Sequence, residues 1–200
     1  MKRLIILGCL LVIASPIASR AATVLYFTSS NIAFVGGGLT RIITPSQGSF
    51  EGRRIFNEGV DTNDIKFSVR RAIAPANDEL WDLDFLGPGN TLATVGYYPN
   101  AQAYPFEIAG HPGLAFSGDG RGDNTSADFF QVLQSDFDST GRLLAYAADF
   151  TMYDDGIKTP WNTGSFRFNS DKPITYVPEP ATATLLLLGM LGLLRRHRNS

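Results

Sequence analysis

The chain has 200 residues, 17 basic and 19 acidic, with a formal net charge of −2. Six of the basic residues and one acidic residue sit in the two terminal segments, so the interior holds 11 and 18 and stands near −7. That balance argues against nucleic-acid binding, which rests on lysine and arginine contacts to phosphate. The single cysteine, Cys9, with only one interior histidine, His111, excludes a zinc constellation of the usual kind.

At the start, Lys2-Arg3 forms a charged region, Leu4 to Ile13 an apolar run, and Ala14 to Ala22 a stretch rich in small residues. This order reads as a secretory signal peptide over residues 1–21, cut after Ala21. Residues 22–170 then form an ectodomain, 171–176 a linker, and 177–200 a separate C-terminal segment. Cys9 leaves with the signal, so a domain without disulfides must be held by its core or by a metal.

Along the ectodomain the apolar period is two. Ile65, Phe67 and Val69 alternate with Lys66 and Ser68, and Trp81, Leu83 and Phe85 with Asp82 and Asp84. Phe130 and Val132, with Leu133 beside them, belong to a further strand. Leu144, Tyr146, Ala148 and Phe150 share a face, and Phe166 and Phe168 flank Arg167. Such alternation marks half-buried strands. Gly87-Pro88-Gly89, Tyr98-Pro99-Asn100, Gly118-Asp119-Gly120, Ser139-Thr140-Gly141 and Asp154-Asp155-Gly156 punctuate them as turns. The pattern predicts an all-β fold, an antiparallel β-sandwich of jelly-roll type with about eight to ten strands. Trp81, Phe85, Phe150, Phe166 and Phe168 are its expected core.

Trp81-Asp82-Leu83-Asp84-Phe85, the glycine-dense run from Pro112 to Asn124, Ala147-Ala148-Asp149-Phe150 and Arg167-Phe168-Asn169-Ser170 resemble a group of exported bacterial proteins of unassigned function. The resemblance covers about Asp78 to Ser170 and implies no activity. Members of that group usually carry cysteines at the positions of Asp123 and Asp154, so the resemblance implies that a bracing disulfide is absent here.

Candidate chemistry is sparse. His111 and Ser117 lack the Gly-x-Ser-x-Gly elbow of a hydrolase nucleophile. Asp82 and Asp84 share a strand face beside Trp81, and paired carboxylates are what a glycosidase needs; a solvated strand face is the other reading. Asp119, Asp123, Asp128 and Asp154, with Asn124 and Asp155 nearby, offer the hard oxygen ligands that suit calcium, or the turn chemistry of Asp, Asn and Gly. Exposure of Trp81, Tyr97, Tyr98 or Tyr104 in a row flanking two carboxylates would mark sugar chemistry. Aromatics withdrawn into the core would mark a structural role.

The chain ends with Val177-Pro178-Glu179-Pro180, an apolar run from Ala181 to Leu194, and Arg195-Arg196-His197-Arg198. As a helix that run is about 21 Å long at 1.5 Å per residue, short of the roughly 30 Å hydrocarbon core. Pro178 and Pro180 favour an extended entry, and the arginines would hold the C-terminus on the cytoplasmic side. Motif, short apolar helix and basic end together resemble the PEP-CTERM signal of Gram-negative bacteria, which an exosortase-type membrane enzyme recognises and processes. The resemblance implies an exported protein, held transiently in the inner membrane by a short transmembrane helix and passed to the outer envelope or extracellular matrix. The function expected is that of a non-enzymatic surface or matrix protein associated with exopolysaccharide. The alternative is a secreted polysaccharide-acting enzyme using Asp or Glu as acid and base.

Overall fold

The computed structural model describes residues 21–55, 63–72, 78–124, 127–154, 159 and 161–174. The signal segment before Ala21, Asp155 and Gly156, and the whole C-terminal segment from 175 onward lie outside the described residues, and with them the two terminal helices expected from the sequence. Among the described residues no helix is long and apolar enough to cross a membrane.

Among the described residues there are ten strands: β1 (Ala22–Ser29), β2 (Thr40–Ile43), β3 (Gly48–Arg54), β4 (Ile65–Arg71), β5 (Glu79–Leu86), β6 (Gly96–Ala103), β7 (Gly113–Gly118), β8 (Asp128–Phe137), β9 (Leu143–Tyr153) and β10 (Trp161–Ser170). The fold is all-β, as the alternation predicts. It is not the two-sheet, fully antiparallel sandwich expected. The strands form one sheet in the order β2-β1-β10-β9-β8-β6-β7-β5-β4-β3, which curls into a nearly closed barrel. The physical reason lies in β6. Its Gly96–Ala101 stretch pairs antiparallel with β8, and its last two residues, Gln102 and Ala103, pair parallel with Gly113 and Leu114 of β7. One strand thereby serves both halves and turns the corner between them.

The two halves meet over an aromatic interior. Phe27 of β1 lies 4.4 Å from Trp81 of β5 and 5.0 Å from Phe116 of β7, centroid to centroid. Further along, Phe67 of β4 sits 4.3 Å from Phe166 of β10 and 5.3 Å from Tyr146 of β9. Ile65, Phe67, Val69, Trp81, Leu83 and Phe85 are all buried, each contributing roughly 1.5 to 3 kcal/mol relative to exposure for side chains of this size. Phe150 and Phe166 join them as expected, whereas Phe168 is only partly buried at the margin, 5.7 Å from Phe67.

Three large rings lie over glycines on the neighbouring strand: Phe67 opposite Gly52, Trp81 opposite Gly118, and Phe150 opposite Gly164. A Cβ on any of these glycines would approach the facing ring to within 2.8 Å. The missing side chains are what let rings of this size lie across the strand beside them.

Two local expectations need correction. Tyr98-Pro99-Asn100, read as a turn, lies inside β6, where the pairing with β8 slips between Pro99 and Ala101 and Asn100 takes a φ of 54°. A bulge is one of the few places where a strand tolerates proline. Leu144 does not share the buried face of Tyr146. The register slips between Asp136 and Phe137, leaving Leu144 as the extra residue, 42 % exposed. The turns at Gly87-Pro88-Gly89, Gly118-Asp119-Gly120 and Ser139-Thr140-Gly141 form as expected, with Gly89, Gly120 and Gly141 at positive φ.

A cluster of ion pairs ties β2 to the other half of the curled sheet. Arg41 of β2 and Arg71 of β4 both reach Glu79 of β5, Nε to Oε1 and Nη1 to Oε2, at 2.9 Å each. Glu79 is almost fully buried. Burial alone would raise its carboxyl, but the hydrogen bonds from Arg71 and Arg41 outweigh it and hold the group below the usual carboxylate range.

Candidate functional site: an aromatic groove on the outer face of the barrel

Side chains alternate across a strand, so the residues between core positions of β6, β8 and β9 point outward. Register brings them together. Tyr97 stands opposite Gln131 and Gln131 opposite Asp149; Phe129 stands opposite Thr151. Tyr97, Phe129, Gln131, Leu133, Asp149, Phe150 and Thr151 line an open groove of about 230 Å³. Tyr97 is 60 % exposed. Its ring lies 6.1 Å from that of Phe129, which lies 6.5 Å from Tyr153, so three aromatics follow one another across the face.

Asp149 is held in place rather than left free. Its Oδ1 accepts from Arg167 Nη2 at 2.8 Å, and Arg167 is completely buried although it points away from the core. The linker segment covers it: Nη2 also donates to Pro173 O at 2.7 Å, and Nε to Lys172 O at 3.2 Å. Nη1 donates to Ala148 O and Phe166 O at 2.8 and 2.9 Å. A guanidinium has five N–H donors, and this distribution compensates its removal from water. The groove thus has aromatic faces, an amide and one charge-compensated carboxylate. Glycoside hydrolysis needs two opposed carboxyl groups, and the lining residues supply one.

The sequence-derived candidates fall elsewhere. Trp81 is turned wholly into the core, so no indole face lies beside Asp82 and Asp84. Asp84 is buried and pairs with Lys66 Nζ at 3.2 Å. Burial pushes its carboxyl up, and the Lys66 ammonium only partly offsets this. Asp82 accepts from Ser68 Oγ at 2.5 Å. With Ser117, Asp119 and Arg121 it lines a second shallow groove of about 320 Å³ on the other half of the barrel. His111 is tied by its Nδ1 to Asn100 O at 3.1 Å.

Of the four aspartates considered for calcium, two act as buried acceptors for backbone. Asp128 Oδ1 accepts from Tyr153 N at 2.8 Å. Asp154 accepts from Phe34 N and, at 2.8 Å, from Asn162 Nδ2, while Asn162 Oδ1 accepts from Gly36 N at 3.1 Å. Asp154 therefore binds the 30–39 loop to the ends of β9 and β10. Asp119 sits in the turn after β7 at a φ of 51°, and Asp123 follows that turn, half-buried. Among the described residues no three His, Cys, Asp or Glu side chains converge as a metal-holding group.

Residues 177–199 match the PEP-CTERM protein-sorting motif. The chain thus carries a sorting tail of the kind that an exosortase-type enzyme processes, and the motif implies export with passage through a membrane. No curated protein and no solved structure matches the chain.

Proposed function

We propose that the protein is a non-enzymatic component of the outer envelope or extracellular matrix that binds neutral exopolysaccharide in the groove of β6, β8 and β9. The observation that supports this reading is the sequence of Tyr97, Phe129 and Tyr153 beside Gln131 and Asp149. Aromatic rings with an apolar body and a few placed hydrogen-bonding groups are what a polyhydroxylated ring needs, one for its C–H face and the other for its hydroxyls. The excess of acidic residues in the interior of the chain disfavours polyanionic glycans, since like charges repel. The lone carboxylate of the groove, already engaged by Arg167, favours binding over the hydrolytic alternative.

Affinity electrophoresis of the processed protein in gels containing neutral exopolysaccharide from the producing cells tests the proposal. Retardation is expected, and Tyr97→Ala should weaken it roughly tenfold, equivalent to about 1.4 kcal/mol. Unchanged mobility of the native protein at every polysaccharide concentration would rule the reading out.

A further inference from the structure

The groove does not end at β9. Thr151 stands opposite Thr163 of β10, Thr163 opposite Thr28 of β1, and Thr28 opposite Thr40 of β2. Four threonines thus occupy one row across four adjacent strands, on the face opposite the core positions Phe27 and Phe150. The row begins at Phe129, which stands opposite Thr151 and belongs to the groove. None of the four is buried, and Thr40 is exposed.

Their hydroxyls are partly paired with one another: Thr151 with Thr163 at 3.1 Å, and Thr28 with Thr40 at 2.9 Å. Thr163 Oγ1 also donates to Phe150 O at 3.1 Å. A hydroxyl has one donor and two acceptor positions. With its proton on Phe150 O, Thr163 must accept from Thr151, so that pair presents acceptor lone pairs outward. The Thr28–Thr40 pair retains one proton beyond the one it shares. The row therefore offers several acceptors and one donor, with no charged side chain among its four residues. Strands lie about 4.8 Å apart, which is close to the advance of one pyranose unit in an extended chain.

We propose that this row is a hydroxyl-lined track that continues the groove, and that the ligand is an extended neutral polysaccharide lying across the strands, with successive sugar units donating hydroxyls to successive threonines. This rests on the glycan-binding reading of the groove and specifies its ligand as a chain rather than a terminal sugar. From Tyr97 on β6 to Thr40 on β2 there are five strand intervals, roughly 24 Å at this spacing, enough for about five units.

The test uses the processed protein and size-fractionated oligosaccharides from partial acid hydrolysis of the neutral exopolysaccharide of the producing cells. Affinity should rise with length up to about five units. Thr28→Val and Thr40→Val together should lose most of that rise, at least fivefold on the longest fraction. They should leave di- and trisaccharide binding and the thermal midpoint unchanged, and the Thr→Ser pair at the same positions should restore the length dependence. Binding independent of length, or long-chain binding unaltered by the valine pair, would overturn the track while leaving the groove standing. No binding at any length would overturn both.

Discussion

Trp81 and Gly118 face each other across β5 and β7, and a Cβ on Gly118 would lie 2.0 Å from the indole. Because that ring is also 5.2 Å from Phe116 and 4.4 Å from Phe27, it has no free side to move toward. Gly118→Ala should therefore destabilise the domain by about 1 to 3 kcal/mol, as overpacking of a filled core does, seen as a lower urea midpoint. An alanine variant as stable as the parent would contradict this packing. Glu79 gives a second expectation, and it depends on pH. Its folded pKa is depressed below the ordinary value of 4.5. The stability it contributes is thus complete above about pH 4.5 and disappears as pH falls through the folded pKa. Glu79→Gln should cost about 2 to 4 kcal/mol at neutral pH, somewhat below a fully buried pair because both arginines keep contact with water. It should also flatten the acid limb of the urea midpoint against pH. An acid limb identical to that of the native protein would show that this ion-pair cluster is not what acid dissolves.

At the scale of elements, legibility followed the number of covered faces. β4 and the first half of β5 have one face on the core, so their alternation is visible in the sequence. β1 lies between β2 and β10, and Val24, Leu25, Tyr26 and Phe27 are buried in succession. With both faces covered no period of two survives, and the strand is silent in the pattern. β6 was hidden differently, by a proline and a positive-φ asparagine at its bulge, which carry the composition of a turn. The groove was legible only in part. Tyr97 stood out as an aromatic, but Phe129, Gln131 and Asp149 become its neighbours through the pairing of β6 with β8 and β8 with β9, which spacing along the chain does not encode. Asp128 and Asp154 were visible as acidic loop residues. Their service as acceptors for Tyr153 and Phe34 amides depends on contacts up to 120 residues apart.

For the molecule as a whole, the sequence was most informative where it is least structural. The tail announces itself through order and composition alone, whereas the closure of ten strands into one curled sheet depends on β6 pairing on both its edges. The sorting reading carries its own test. Replacing Pro178, Glu179 and Pro180 by alanine should leave an unprocessed precursor in the inner membrane fraction, detected as a larger band on immunoblots. Normal processing and release of that variant would overturn the assignment of the tail.

β1 and β10 are neighbours, with Ala22 paired to Ser170. A ribosome makes these strands almost 150 residues apart in time. Until β10 is available, β1 has only the four-residue β2 beside it, and β9 keeps one bare edge. The barrel therefore cannot close before β10 has been made. Closure must wait until all but the last stretch of the chain is present, and only seven residues, 171–177, separate Ser170 from Pro178. At about 3.5 Å per residue that tether is at most roughly 25 Å long. Completion of the fold and appearance of the sorting signal are in this way nearly simultaneous events in synthesis, and a chain stopped short of β10 should stay unfolded, seen as rapid digestion in limited proteolysis.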